Sequence, residues 1–229
     1  MSAARGRTTW IVCAVLALGV VVAGARNPYA VLAFGFAGFA ATLNVMEFVI
    51  GARARTVAHG EPLGLALVRL VGANRRRYGG YVAHMGIFVS AFGIAASSAF
   101  RTEREATLKP GESLTIGPTT ARLKDVWGRE EKQRSVIGAT VELVANGTPY
   151  ATLSPRMNFY PTSQQPVPTP DVRSTPFGYT YMNLMAFKPD GSNATIKVIL
   201  EPLVPWIWLG GGIICLGALL AAWPARRLT

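Results

Sequence analysis

Cysteine, histidine and acidic residues are scarce in this sequence, and each shortage excludes a class of site. The 229 residues include two cysteines and two histidines. Cys13 and Cys215 lie inside apolar runs and form no C-x-x-C pair, which argues against a thiol relay or a zinc site and favours two small buried side chains. Residues 101–203 contain neither residue type, so a domain formed there folds without disulfides and without imidazole ligands.

Negative charge is also scarce, with 12 acidic against 23 basic residues and a net charge of +11. The basic excess forms no face interleaved with aromatic residues, so nucleic acid is not a predicted partner. Instead, ten arginines flank the apolar runs, and arginines in such positions set the orientation of membrane helices. In those flanking segments Glu61 alone opposes them. The ten are Arg5, Arg7, Arg53, Arg55, Arg69, Arg75, Arg76, Arg77, Arg226 and Arg227.

Apolar residues are abundant: they make up 50% of the chain, and the mean hydropathy is +0.30. Four runs, at residues 10–25, 28–50, 81–100 and 204–223, predict about four transmembrane helices in a lipid bilayer. The reason is length, since about 20 helical residues cross a hydrocarbon core of about 30 Å. The first run is the shortest and has a second interpretation, a secretory signal cleaved at Ala25.

The arginines predict how this polytopic α-helical protein lies in the cell inner (plasma) membrane. Residues 1–100 hold the first three helices, with an arginine-rich cytoplasmic loop at 51–80. Residues 101–203 form a periplasmic, extracytoplasmic domain, and residues 204–229 form the last helix and a cytoplasmic tail. The N- and C-termini are then both cytoplasmic.

Two further patterns refine this topology. In the cytoplasmic loop, Leu63, Leu67, Leu70 and Val71 share one helical face, which predicts a short helix along the inner membrane surface. Tryptophans are expected at both membrane interfaces. Trp206 and Trp208 would mark the outer interface, and Trp10 and Trp223 the inner one.

The extracytoplasmic segment has the pattern of an inserted small β domain, a sandwich or an open barrel with one long loop. Asn146-Gly147 predicts a tight hairpin because both residues tolerate positive φ. Pro189-Asp190-Gly191 predicts another hairpin, and Pro110-Gly111 predicts a turn between two short strands. The proline-rich stretch at 160–176 cannot form a central strand.

His84 is the first candidate for chemistry, because a histidine in a membrane helix is costly and suggests function. Its helical neighbours are apolar or small, which would allow a flat porphyrin to approach, and imidazole is a common axial ligand of haem iron. The alternative is that His84 reaches lipid headgroups or bonds a neighbouring helix. The neighbours are Gly80, Tyr81, Ile87, Phe88, Ala91 and Ala95.

Other polar and small residues in the apolar runs favour structural roles. Gly86, Ser90, Gly93 and Ser97 have the spacing of a close helix–helix contact in lipid. Glu47 is predicted to pair with an arginine such as Arg53, with proton transfer as the alternative. No nucleophile lies beside a base, so no catalytic residue is predicted.

Several stretches together resemble the CcmF family, the haem lyase of bacterial and mitochondrial cytochrome c maturation. The central one is "NRRRYGGYVAHMGIFVSAFGIAASSAFRTEREATLKPGESLTIG", with an arginine run, Tyr-Gly-Gly and a His-x-Gly helix. The others are "NPYAVLAFGFAGFAATLNVMEFVIGARAR", "ATLSPRMNFYP" and "EPLVPWIWLGGGIICLGALLAA". The resemblance covers nearly the whole chain beyond about residue 27.

The resemblance implies a C-terminal part or subunit of a haem lyase complex in cytochrome c biogenesis. The family attaches haem covalently to apocytochrome c and holds a b-type haem between two membrane histidines, one of which His84 matches. The implied cofactor is therefore haem b, shared with a partner chain. The implied partners are a haem chaperone, apocytochrome c with its holding factors, and a companion haem lyase chain that carries the family's tryptophan-rich segment.

The departures from the family pattern are as informative. The tryptophan-rich haem-handling segment, its flanking histidines and the second membrane histidine are absent from this sequence, and family members are much longer. The chain alone is therefore expected to lack the catalytic segment and to act as a split subunit, unless it is a fragment. The alternative function is a cofactor-free, membrane-anchored assembly module that presents the β domain. A proton-transporter fragment using Glu47 and His84 is a third hypothesis.

Overall fold

The structure, a computed structural model, describes residues 3–163 and 165–224. Arg226 and Arg227 lie outside the described residues, as does the side chain of Arg5. The chain divides into two compact units, each described here by itself. One is a helical unit, Met1–Phe100 with Leu203–Thr229, and the other is a β unit, Arg101–Pro202.

The helical unit contains five helices in its described part. Three of them, α2, α4 and α5, are long and apolar enough to cross a membrane, whereas the apolar part of α1, Gly6–Val22, is shorter. The helices are α1 (Ala3–Val22), α2 (Pro28–His59), α3 (Leu63–Ala73), α4 (Arg75–Ala99) and α5 (Pro205–Ala222).

Helix α2 is longer than the predicted 28–50 run. It begins where Asn27 Oδ1 accepts the backbone N–H of Tyr29 at 3.0 Å, with Pro28 in the first helical position. It ends only at Gly60, whose φ of 67° no other residue type adopts as readily. The predicted loop at 51–80 is therefore mostly helical, because alanine and arginine favour helix and no glycine or proline intervenes between residues 52 and 59.

Helices α4 and α5 pack closely through small residues, which confirms the predicted role of Gly86, Ser90 and Gly93. A Cβ atom on Gly86 would lie 2.5 Å from the carbonyl oxygen of Gly210, so only glycine allows this approach. Ser90 Oγ donates a hydrogen bond to the carbonyl of Ile207 at 3.2 Å. Ser97 instead bonds within its own helix.

Helix α2 contacts a different face of α4 through aromatic rings and one amide. The rings of Phe34 and Phe92 lie 4.8 Å apart, edge to face, and Phe34 is almost completely buried. Asn44 Nδ2 donates to the carbonyl of Tyr81 at 3.0 Å. Helix α4 is therefore covered on two sides, by α5 and by α2.

The β unit consists of two antiparallel sheets that curl around one apolar core, in agreement with the predicted sandwich or open barrel. One sheet has the order β1-β10-β9-β8, and the other has the order β2-β3-β4-β6-β7, with β5 also paired to β4. The strands are β1 (Thr102–Leu108), β2 (Ser113–Ile116), β3 (Thr119–Glu131), β4 (Arg134–Ala145), β5 (Thr148–Leu153), β6 (Arg156–Phe159), β7 (Val167–Thr169), β8 (Asp171–Thr175), β9 (Gly178–Phe187) and β10 (Ala194–Pro202).

The predicted turns of the β unit are confirmed. Asn146 and Gly147 have φ values of 50° and 76° and close the β4–β5 hairpin, and Gly191, with φ 71°, lies in the β9–β10 turn. Pro110-Gly111 joins β1 to β2, which belong to different sheets, so this turn connects the two sheets. The proline-rich stretch contributes only the edge strands β7 and β8.

Candidate functional site

His84 lies on α4, and its ring is held by its own helix. Nδ1 is 2.7 Å from the carbonyl oxygen of Gly80, one turn earlier. Because a carbonyl oxygen can only accept, Nδ1 carries a hydrogen, and in the neutral form of imidazole the lone pair is then on Nε2. Within the described residues Nε2 has no hydrogen-bond partner. A metal-ligating histidine commonly has this arrangement.

The ring projects from the side of α4 that neither α2 nor α5 covers. At about 100° per residue, His84 is about 140° around the helix from Gly79, which packs on Ala221 of α5. His84 is exposed, and so are Ile87 and Ile94, each about half exposed at 49% and 54%. We call these three residues the open face of α4. Its polar group is the Nε2 atom of His84, and the other two side chains are apolar.

A single imidazole nitrogen can supply one ligand to a haem iron. The other histidine of the chain, His59, cannot supply the second ligand. Asn44 of α2 bonds Tyr81 of α4, and His59 lies fifteen residues further along α2, about 22 Å away. No group of three histidine, cysteine, aspartate or glutamate side chains that could hold a metal ion occurs in the described part of the chain.

Glu47 forms the predicted ion pair, but with a different arginine. Its Oε2 accepts from Nη2 of Arg77 at 2.9 Å and lies 3.4 Å from the hydroxyl of Tyr81. Arg53 was the wrong partner because residues six apart on one helix do not share a face. Arg77 reaches Glu47 from α4, so the pair links two helices one to two turns before His84.

Glu61, between α2 and α3, forms ion pairs with two more arginines. Arg69 Nη1 lies 2.7 Å from Glu61 Oε1, and Arg55 Nε lies 3.2 Å from Oε2. Burial of the Glu61 carboxylate would raise its pKa, but the hydrogen bonds from Arg69 and Arg55 outweigh burial and lower the pKa below its usual value. This cluster ties α3 to the end of α2.

The cysteines differ from each other. Cys13 is partly buried, with Sγ 3.3 Å from where a Cβ on Gly35 would be, whereas Cys215 is exposed. The expectation that both are buried is therefore wrong for Cys215. Helix α5 turns Gly210 and Gly217 toward α4, and Cys215, five positions after Gly210, lies about 140° away from that contact.

Asn44 is a buried polar residue of α2 to which sequence reasoning assigned no role. It is buried between α2 and α4, and its Oδ1 has no hydrogen-bond partner among the described residues. A buried unsatisfied amide oxygen is uncommon in a native fold. The available signal was a lone asparagine inside the apolar run at 28–50.

The sequence of this chain is similar to those of several known proteins. No protein-family model matches it. It is 30% identical over 155 residues to the cytochrome c-type biogenesis protein CcmF of Haemophilus influenzae, covering 67% of this chain and 24% of that protein. It is 26% identical over 163 residues to the probable cytochrome c-type biogenesis protein NrfE of Escherichia coli, covering 71% of this chain and 29% of that protein.

A solved structure of the cytochrome c haem lyase CcmF matches with a TM-score of 0.69 and 26% identity, over 95% of this chain and 34% of that one. Apolar helices with an appended β unit, together with these relatives, define a membrane protein of the cytochrome c biogenesis class. Within that class the chain belongs to the CcmF family and matches its C-terminal portion. It spans about a quarter of the length of the curated relatives.

Proposed function

We propose that this chain is the C-terminal part of a haem lyase assembly and holds one side of a b-type haem that supports covalent attachment of haem to apocytochrome c. The observation that carries the proposal is the state of His84. Its Nδ1 is engaged by the Gly80 carbonyl, and its Nε2 projects from an apolar helix face that no helix of the described chain covers. The relatives named cytochrome c biogenesis proteins and haem lyase support the same assignment.

In this role His84 binds iron through Nε2, and the Gly80 carbonyl fixes the ring and makes Nε2 more basic. Bound there, the haem supplies a one-electron redox centre. Ile87, one turn from His84 on the same face, would exclude water from a bound haem. A companion chain with the tryptophan-rich segment would supply the second ligand and handle the haem that is transferred. A haem chaperone, and apocytochrome c with its holding factors, complete the assembly.

The decisive experiment is an absorption spectrum of the chain purified with its companion and reduced with dithionite. The intact complex should show b-type bands. His84→Gly should abolish them while the complex still elutes as one species, and added free imidazole should restore them, because imidazole can occupy the space that the side chain leaves. His59→Gly is the matched control and should leave the bands intact.

Two outcomes would overturn this assignment. One is an assembled His84→Gly complex with unchanged bands, which would favour the cofactor-free assembly module. The other is an equal loss of the bands in His59→Gly. Restoration by imidazole separates loss of a ligand from general damage to the fold, since a damaged fold gains nothing from a free ligand.

We further propose that the chain lies in the inner membrane with both termini in the cytoplasm and the β unit in the periplasm. The support is the excess of arginine between residues 51 and 80, at the end of α2 and the start of α4. The test is labelling of single cysteines in intact cells with a membrane-impermeant maleimide, after Cys13 and Cys215 are replaced by alanine. Asp190→Cys, in the β9–β10 turn, should react. His59→Cys, at the end of α2, should react only after lysis.

A further inference from the structure

A cavity of about 610 Å³ opens where the N-terminus of α4 meets the C-terminal end of α5. Three consecutive arginines, Arg75, Arg76 and Arg77, line one side of it, and Trp223 lines the other. Ala221, which also lines the cavity, packs against Gly79, where a Cβ would lie 2.5 Å from the Ala221 nitrogen. Because this contact is so close, the relative positions of the two walls are fixed by the helix packing.

Two of the three guanidinium groups have no carboxylate partner among the residues that the structure describes. Glu47 forms an ion pair with Arg77, and Glu61 forms ion pairs with two arginines outside the cavity. Arg75 and Arg76 have no ion pair or side-chain hydrogen bond to any residue that the structure describes. Adjacent unpaired cations that line a concave surface repel each other, so an anion bound between them would be stabilised.

The backbone makes a divided contribution to the potential. Asn74 precedes α4 without a side-chain capping hydrogen bond, so the first N–H groups of this 25-residue helix are left without that partner. The dipole of α4 places partial positive charge at this end, whereas the C-terminal ends of α3 and α5, which also line the cavity, place partial negative charge there. The positive potential of the cavity therefore comes from the arginine side chains.

The opposite wall is apolar, which selects the kind of anion. Trp223 is 65% exposed and ends an apolar helix long enough to span a membrane. Tryptophan in this position characteristically lies at headgroup level. A ligand with a phosphate next to glycerol esters and acyl chains would contact both walls, whereas inorganic phosphate would contact only the arginines.

We propose that this cavity binds the headgroup phosphate of an anionic phospholipid. Arg75 and Arg76 donate to the phosphate oxygens, and Trp223 packs on the glycerol and the first acyl carbons. The site is independent of His84 and of haem. It would anchor the start of the helix that carries the open face of α4.

Native mass spectrometry of the purified full chain, titrated with phosphatidylglycerol or phosphatidylcholine, tests the proposal. We expect retained phosphatidylglycerol and little phosphatidylcholine. Arg75→Gln combined with Arg76→Gln should weaken phosphatidylglycerol binding about tenfold or more, the loss of about one decade in affinity that charge-assisted hydrogen bonds provide. Arg75→Lys with Arg76→Lys keeps the charge and should lose less.

The matched control removes the same charge elsewhere. Arg7→Gln combined with Arg53→Gln neutralises two exposed arginines outside the cavity and should leave binding within about twofold. Equal weakening by the control pair would show attraction by net charge only and would overturn the site. Displacement of the lipid by millimolar inorganic phosphate would overturn the choice of phospholipid. The lysine pair tests the same contacts if the glutamine pair does not fold.

Discussion

The two units of this chain bury their apolar side chains in opposite ways. In the β unit, large aliphatic residues such as Leu143, Met182 and Ile196 are fully buried between the sheets. In the described helical unit, Phe34 is the one large apolar side chain buried to that degree, whereas Trp10, Val57 and Trp208 are 66%, 88% and 74% exposed. The helices meet instead through glycine, alanine and serine.

The β unit buries most of its large apolar side chains in its own core, and Phe177 and Met185 are exceptions at its surface. The helical unit leaves its large side chains for lipid or for helices of other chains, since small residues are sufficient for close packing in a membrane. His84 lies on one of these outward surfaces. The ligand proposed for haem iron therefore lies on a surface that the described helices leave uncovered.

The strongest test of the comparison removes the same side chain from both units. Leu143→Ala should destabilise the β unit by about 2–5 kcal/mol, because a buried leucine leaves a cavity. Leu216→Ala, at a leucine that is 65% exposed on α5, should change stability by less than about 0.5 kcal/mol. Hydrogen exchange of the detergent-solubilised full chain gives both values, from β3–β4 amides and from α5 amides.

Similar losses at the two leucines would contradict the comparison. A large loss at Leu216 alone would mean that α5 buries this residue in a contact within the chain. If the companion chain is added and Leu216→Ala then becomes costly, the exposed side of α5 faces that partner. This second measurement would identify Leu216 as a residue at the interface with the companion chain.

Close packing through small residues predicts that the helical unit tolerates the loss of side-chain atoms better than their addition. Gly210→Leu should destabilise the α4–α5 pair by about 1–3 kcal/mol or more, because a Cβ there would contact Ser90 Oγ and lie 2.5 Å from the Gly86 carbonyl oxygen. Gly211→Leu is the matched control, since a Cβ at that position meets nothing within 4 Å. Thermal unfolding in detergent compares them.

A Gly210→Leu protein as stable as Gly211→Leu would show that α4 and α5 are not held at this distance. Thermal unfolding of a double variant, Ser90→Ala with Gly210→Leu, shows which contact causes the loss of stability. Removing the hydroxyl relieves only one of three contacts, so a partial rescue would identify the backbones of Gly86 and Ser90 as the remaining obstacles.

Local chemistry explains what could be predicted from the sequence. The Asn146-Gly147 hairpin depends on the conformational preferences of two neighbouring residues, and the α4–α5 contact depends on the spacing of Gly86, Ser90 and Gly93 along one helix. In both cases the determining residues are close in sequence, so the pattern alone carries the information.

The misses involve residues far apart in sequence. Glu47 pairs with Arg77, thirty positions away on another helix, and a choice among several nearby arginines cannot be made before the helices are packed. Cys215 faces outward because α5 contacts α4 through Gly210 and Gly217. The second axial ligand expected for His84 has no counterpart in the sequence, so sequence reasoning on this chain could not supply it.

The smallest expected effect concerns α3, the element between the two long helices α2 and α4. Glu61 is held ionised by Arg69 and Arg55, so its pKa is below the usual value in the folded protein. Folding then favours the deprotonated carboxylate. The contribution of this cluster is complete above the usual glutamate pKa and is lost as pH falls through that value toward the lowered one.

We therefore expect the hydrogen-exchange protection factors of the α3 amides to be constant near neutral pH and to decline in acid. In the Glu61→Gln variant, these protection factors should be lower at neutral pH and should not change with pH. Glu112→Gln is the control, because its carboxylate accepts the Lys109 N–H in the β unit and should not affect α3. A Glu61→Gln profile that still declines in acid would assign the pH dependence to another group. Since Arg69 is half exposed and water partly screens its pair with Glu61, the change should be the smallest of the three, and α3 should loosen without unfolding α2 or α4.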